Sequence, residues 1–263
     1  MKYWSVGFLF LSLGCRPADP PSDPPLEPQL ETDKLAGYAN PELIVETEWL
    51  AEHGADDVVI VDARSVDDYT AGHISGALNI PRSTTFDPDA ELRVVAPPEQ
   101  IAELFGRQGI DENAHVVVYD EGVSTAAARV FWVLEYYGHP RVSVLNGGFA
   151  KWKAELRAIS TEAAERAPVT FNVRVREDAL TTKAELLSDL DDERVAMLDV
   201  RSPEEYVGEK LYSERGGHLP DAVNIEWTRN YTEGDAPVFQ SAVELEAMYA
   251  REGVTKDKRV HAY

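Results

Sequence analysis

The chain has 263 residues, 47 acidic against 25 basic side chains, a formal charge of −22 and one cysteine. Its length accommodates two ordinary domains, each with its own core. The charge excludes nucleic acid and anionic membrane surfaces as electrostatic partners, because phosphate binding depends on Lys and Arg releasing counterions, and a single cysteine excludes an intrachain disulfide.

Residues 1–14 read MKYWSVGFLFLSLG, one Lys followed by an apolar run too short to cross a bilayer, the pattern of a signal-peptide core. The run ends in LSLGC, which resembles the lipobox of bacterial lipoproteins. That resemblance implies that Cys15 becomes the lipid-modified first residue of an exported protein, anchored on the periplasmic or cell-surface face of a bacterial membrane. An ordinary secretory signal with an incidental cysteine is the alternative. The proline density of residues 15–37 forbids helix and favours an extended, semi-rigid spacer.

A first domain over residues 38–157 follows. VVIVDAR, from Val58 to Arg64, is a β-branched run that fits a strand buried on both faces of a parallel sheet. SVDDYTAGH reads as a short helix capped by the Ser65 hydroxyl, with Asp67 and Asp68 in its first turn, and ALNIP as a short strand. Pro97 to Ile110 is amphipathic at helical spacing, HVVVYD is a buried strand, Ser124 to Gly138 is a helix with a glycine C-cap, and RVSVLNGG is a strand entering a glycine turn. Strands alternating with helices predict an α/β domain with a mainly parallel sheet. Residues 158–178 form a polar connection, and a second domain runs over 179–263.

The second domain repeats the first. Asp62, Arg64, Tyr69, Gly72, His73, Ala77, Asn79 and Ile80 have counterparts in Asp199, Arg201, Tyr206, Gly217, His218, Ala222, Asn224 and Ile225. GIDENAHVVVYD and GVTKDKRVHAY also run in step, up to Tyr263. A repeat of this length means two tandem domains rather than a short-period solenoid.

The D-x-R-S followed by G-H-x-x-x-A-x-N-I in both halves, with YYGHPRVSVLNGGFAKWKAE closing the first, resembles the two-domain rhodanese family, the thiosulfate and 3-mercaptopyruvate sulfurtransferases. The resemblance runs from about Tyr38 to Tyr263. It implies two tandem rhodanese-like α/β domains, each a mainly parallel sheet flanked by helices, and a persulfide-forming nucleophile at the start of the loop after the VVVY strand. The loop amides and the helix dipole there would lower a thiol pKa and cradle an anionic sulfur donor. The implied chemistry needs no metal or organic cofactor, and its partners are a small anionic sulfur donor and a thiol or cyanide acceptor.

At that position the first half has Asp120, followed by Glu121. A carboxylate carries no persulfide and two acids repel an anionic donor, so the first half reads as inactive and structural. In the second half the aligned position is the one after Tyr263. The second copy is therefore expected to be incomplete, without its nucleophile, cradle loop or following helix, and the chain as given to be inactive. A UGA selenocysteine codon, a fragment or a nonsense mutation would each place an end there.

Arg201 matches the family arginine that contacts the donor, the alternative being that it only pairs Glu204 or Glu205. His73 and His218 occur in both copies and read as structural residues joining turn to strand rather than as general bases. Trp132 and Trp152 read as core. In the longer loop from Gly208 to Gly217, Tyr212 and Arg215 are candidates for the site mouth. The expected function is transfer of sulfane sulfur from thiosulfate or 3-mercaptopyruvate to a thiophilic acceptor. A non-catalytic rhodanese-like binding or scaffold lipoprotein, and a phosphatase on the same fold, are the alternatives.

Overall fold

The structure is a computed structural model that describes residues 35–54, 58–91 and 94–263. The signal peptide, Cys15 and the spacer as far as residue 34 lie outside the described residues. The first half contains β1 (Ile44–Val45), α1 (Thr47–His53), β2 (Val58–Asp62), α2 (Val66–Ala71), β3 (His73–Ile74), β4 (Leu78–Asn79), α3 (Pro98–Arg107), β5 (His115–Tyr119), α4 (Ala126–Tyr136), β6 (Val142–Leu145), α5 (Gly148–Ala154) and β7 (Ile159–Ser160). The second contains α6 (Lys183–Ser188), β8 (Val195–Asp199), α7 (Pro203–Tyr206), β9 (Val223–Asn224), α8 (Ala242–Arg251) and β10 (Arg259–Ala262).

Five parallel strands in the order β1-β6-β5-β2-β4 make the first sheet, and β10-β8-β9, also parallel, make the second. The second sheet reproduces the β5-β2-β4 part of the first. Alternation along the strands sends side chains to opposite faces. Val59, Val61, Val116 and Val118 join one apolar cluster with Phe105, Val130 and Leu134, while Ile60, Val117 and Tyr119 join another with Leu50, Phe149 and Trp152. Helices therefore cover both faces of the first sheet, as its uninterrupted apolar strands require. The buried apolar side chains of the second half are few: Ala196, Met197, Leu198, Ala222 and Ile225, of which only Ile225 is fully buried.

The expected Ser65 cap forms, its Oγ accepting the Asp68 N–H at 3.1 Å. The connection between the halves is more than a polar spacer. Phe171 is buried in the first core against Phe105, and Val169 and Arg174 donate backbone N–H groups to Gly106 and Tyr137 carbonyls at 2.9 Å each. Gly138, at φ +83°, lies under this strap, where a Cβ would meet the Arg174 carbonyl oxygen at 2.5 Å. Trp152 is core, but Trp132 is only half-buried and donates its indole N–H to the Ala179 carbonyl at 3.2 Å, tying the first half to the start of the second. Across the halves, the Tyr38 hydroxyl donates to the Gln240 carbonyl and the Phe239 N–H donates to Asn146 Oδ1 at 2.9 Å.

Candidate functional site

The carboxyl ends of β2 and β5 carry the residues that the sequence motif singles out. Asp62 ends β2 and is fully buried. Its carboxylate takes Arg64 Nε at 3.0 Å and Nη2 at 2.6 Å, while Arg64 Nη2 also donates to the Gly72 carbonyl at 2.7 Å. Burial alone would lower the arginine pKa, but the hydrogen bonds and charge of Asp62 overcome it and push the pKa upward, so the guanidinium is permanently charged. Tyr119 ends β5; its hydroxyl donates to Asp62 Oδ2 at 2.7 Å and accepts the Ile74 N–H at 3.1 Å. Asn79 Nδ2 donates to the carbonyls of Asp62 and Arg64 at 3.1 and 3.2 Å, closing the turn after the strand. The motif spacing thus exists to tie one strand end together.

Asp120 begins the loop between β5 and α4. Its side chain points back into the loop, where Oδ1 accepts the Gly122 N–H at 2.9 Å and Oδ2 the Ala127 N–H at 2.8 Å, at the start of α4. Desolvation pushes this carboxyl pKa upward and the backbone N–H bonds oppose the shift. A carboxylate of the chain itself therefore fills the amide cradle at a helix N-terminus. Behind it, Phe149 and Ala150 donate N–H groups to the Asp120 and Glu121 carbonyls at 2.8 and 2.9 Å. That close approach needs glycine at 148, where a Cβ would meet the Asp120 oxygen at 2.6 Å and the Gly122 nitrogen at 2.8 Å. From the second half, Tyr231 sits near Asp120, and burial first, then the Asp120 charge, push its hydroxyl pKa up to about 12.

The second half rebuilds the same lattice. Arg201 Nε and Nη2 bind Asp199 at 3.0 and 2.5 Å, Nη2 reaches the Gly217 carbonyl at 2.9 Å, and Asn224 Nδ2 joins the Asp199 and Arg201 carbonyls at 3.0 and 2.9 Å. Tyr263 takes the place of Tyr119, its hydroxyl accepting the Leu219 N–H at 2.9 Å and its ring lying 5.5 Å from the Arg201 guanidinium. The backbone agrees, since Val200 N–H donates to the Tyr263 carbonyl as Ala63 N–H does to that of Tyr119. The counterpart of Asp120 is hence the position after Tyr263.

Arg201 does not pair Glu204 or Glu205, as the alternative reading supposed; its carboxylate is Asp199, and Glu205 instead completes the capping box of α7 with Ser202. Its side chain is 34% exposed against 7% for Arg64, and among the described residues its hydrogen bonds run through Nε and Nη2. His73 and His218 are stacked on Tyr69 and Tyr206 at 3.8 and 3.7 Å and bind the same tyrosines' carbonyls, in keeping with a structural role. Tyr212 is 77% exposed and lies against Lys210, and no described contact brings it or Arg215 to Arg201. Sequence reasoning gave no site role to Asp62, Asp199, Tyr119 or Tyr263, although the two aspartates head the duplicated D-x-R motif and the two tyrosines recur at equal places. Among the described residues there is no cluster suited to a metal ion.

Two duplicated parallel α/β units, each joining an aspartate, an arginine and a tyrosine at the ends of adjacent strands, define a tandem-domain α/β protein. The model of the Rhodanese-like domain matches residues 46–155 and 182–263, and the chain belongs to that family. It is 35% identical over 243 residues to the sulfur carrier protein TtuD of Thermus thermophilus, covering 86% of this chain and 84% of the relative. It is 33% identical over 225 residues to the thiosulfate sulfurtransferase of Azotobacter vinelandii, covering 85% and 82%. The crystal structure of the 3-mercaptopyruvate sulfurtransferase SseA from Escherichia coli superposes with a TM-score of 0.76 at 29% identity, over 84% of this chain and 87% of that one.

Proposed function

We propose that the protein is a sulfurtransferase whose chemistry belongs to the second half. A nucleophile at the position after Tyr263 would attack the outer sulfur of thiosulfate; the S–S bond breaks, sulfite leaves with the electron pair, and the sulfur stays on the nucleophile as a persulfide. With 3-mercaptopyruvate the C–S bond breaks in the same way and pyruvate leaves after protonation. Cyanide or a thiol then takes the sulfur and frees the nucleophile. The observation that carries this reading is the Arg201 guanidinium, held at the strand ends by Asp199 and the Gly217 carbonyl with its face toward the Tyr263 ring. Such an arginine offers charge to an anionic donor at the strand ends. The named activities of the relatives support the same reaction class.

The test is thiocyanate formation from thiosulfate and cyanide. The chain of residues 1–263 is expected to form none above a Cys15→Ser control, whereas a chain continued through a cysteine or selenocysteine at the next position turns over. A continued chain that forms a persulfide with neither thiosulfate nor 3-mercaptopyruvate overturns the proposal. We also propose that Cys15 carries a lipid that holds the folded domains at an exported membrane face; Cys15→Ser then moves the protein from the membrane to the soluble fraction, and unchanged fractionation refutes it.

A further inference from the structure

The first half keeps a cleft of about 730 Å³ at its strand ends, although Asp120 takes the nucleophile's place. Its walls include Arg64, Arg82, Glu121, Phe149, Lys153 and Ile159. Within it, the Glu121 carboxylate bridges two cations: Oε2 lies 3.0 Å from Arg64 Nη1 and Oε1 lies 2.8 Å from Lys153 Nζ. Glu121 and Lys153 are each about half exposed, at 52% and 48%, so this bridge is weak and exchangeable, unlike the buried Arg64–Asp62 pair behind it. The aromatic ring of Phe149 lies 4.0 Å from the Arg64 guanidinium and 4.8 Å from Lys153 Nζ, giving the cationic pair an apolar flank.

We propose that this cleft is a binding site for a small monocarboxylate with a short apolar body, and that Glu121 is its internal competitor. Glu121 shows by its own contacts what the Arg64–Lys153 pair takes: one carboxylate, one oxygen on each cation. A ligand carboxylate that replaces it leaves the local charge unchanged once Glu121 swings to solvent, and its apolar body lies against Phe149 and Ile159. A dianion such as thiosulfate brings one charge too many into a cleft that Asp68 also lines. The site is independent of the sulfur chemistry assigned to the second half and needs no nucleophile.

The experiment titrates the chain with pyruvate, against potassium chloride at matched ionic strength, following amide resonances of Gly122 and Lys153 and the unfolding temperature. Saturable pyruvate binding is expected, with thiosulfate far weaker. If Glu121 covers the cationic pair about nine-tenths of the time, Glu121→Gln lowers the half-saturating pyruvate concentration about tenfold. Lys153→Met, on an exposed helix face, abolishes saturation. Absence of saturable binding, an unchanged midpoint in a folded Glu121→Gln protein, or equal binding by Lys153→Met overturns the proposal. Thiosulfate binding as tightly as pyruvate overturns the assignment to monocarboxylates.

Discussion

Tyr119 and Tyr263 occupy one structural place in two copies of a fold: Tyr119 is the last residue of β5 and Tyr263 directly follows β10, and each hydroxyl accepts a backbone N–H, from Ile74 at 3.1 Å and from Leu219 at 2.9 Å. Tyr119 is fully buried and also donates to Asp62, and burial pushes its pKa well above the ordinary phenol value. Tyr119→Phe removes both bonds and strands the Ile74 N–H, which costs about 1–3 kcal/mol in urea unfolding. Tyr263→Phe, at a half-exposed position, costs less; equal losses would mean that burial does not set the worth of this hydroxyl.

The two arginines give a second comparison. Arg64→Ala leaves Asp62 buried without its counter-charge, and the loss is expected at about 3–5 kcal/mol. Arg201→Ala is expected to destabilise less, because its side chain is a third exposed and water reaches Asp199 when it is gone. Denaturant unfolding of both variants checks the order, and a reversal would contradict the burial argument.

Asp120 supplies a pH dependence. Its folded pKa lies above its unfolded value, so its contribution to stability is fully present below the unfolded pKa and is lost as pH rises through the folded one. Asp120→Asn lacks this slope, although its amide leaves one of the two cradle N–H groups facing a donor. Relative to the parent protein, the variant should gain stability as pH rises from about 3.5 toward 7, given an unperturbed carboxyl near 3.9. Unfolding curves across that range decide, and a relative loss with rising pH would refute the shift.

The scarcity of buried apolar side chains in the second half predicts uneven protection. Amides of β2 and β5 should exchange far more slowly than those of β8 and β10 in the 263-residue chain. Equal protection would mean that the small second core is stabilised by its contacts with the first, through Tyr38–Gln240 and Asn146–Phe239.

Much of this arrangement was readable before any coordinates. The apolar runs at Val58 and His115, the Ser65 cap and the doubled D-x-R and G-H motifs carry local signals whose physical meaning does not depend on the rest of the chain. The place proposed for the nucleophile rests on the register of the two copies, which the matching Ala63–Tyr119 and Val200–Tyr263 backbone bonds share. What escaped was nonlocal. Phe171 is a lone aromatic in a polar stretch, so no periodicity marks it as core, and Trp132 lies on an apolar helix whose outer edge meets the connection. Arg201 had acidic neighbours at 204 and 205, yet its true partner lies two residues before it, because strand geometry and not helical spacing brings the side chains together. Glu121 looked like a second repelling acid; its two cations come from residues 57 positions before it and 32 after it.

Gly148 has a consequence for how this family member can change. Because the loop from Asp120 to Gly122 rests on a bare backbone at 148, its shape is cast from behind as well as by the Asp120 carboxylate at its head. The residue at position 120 is one half of that mould: exchanging it alters what the loop presents while the backing at 148 stays where it is. Length is another matter. One residue added or removed between 120 and 122 would break the fit of loop to helix, so at this loop point substitution is open and insertion is closed.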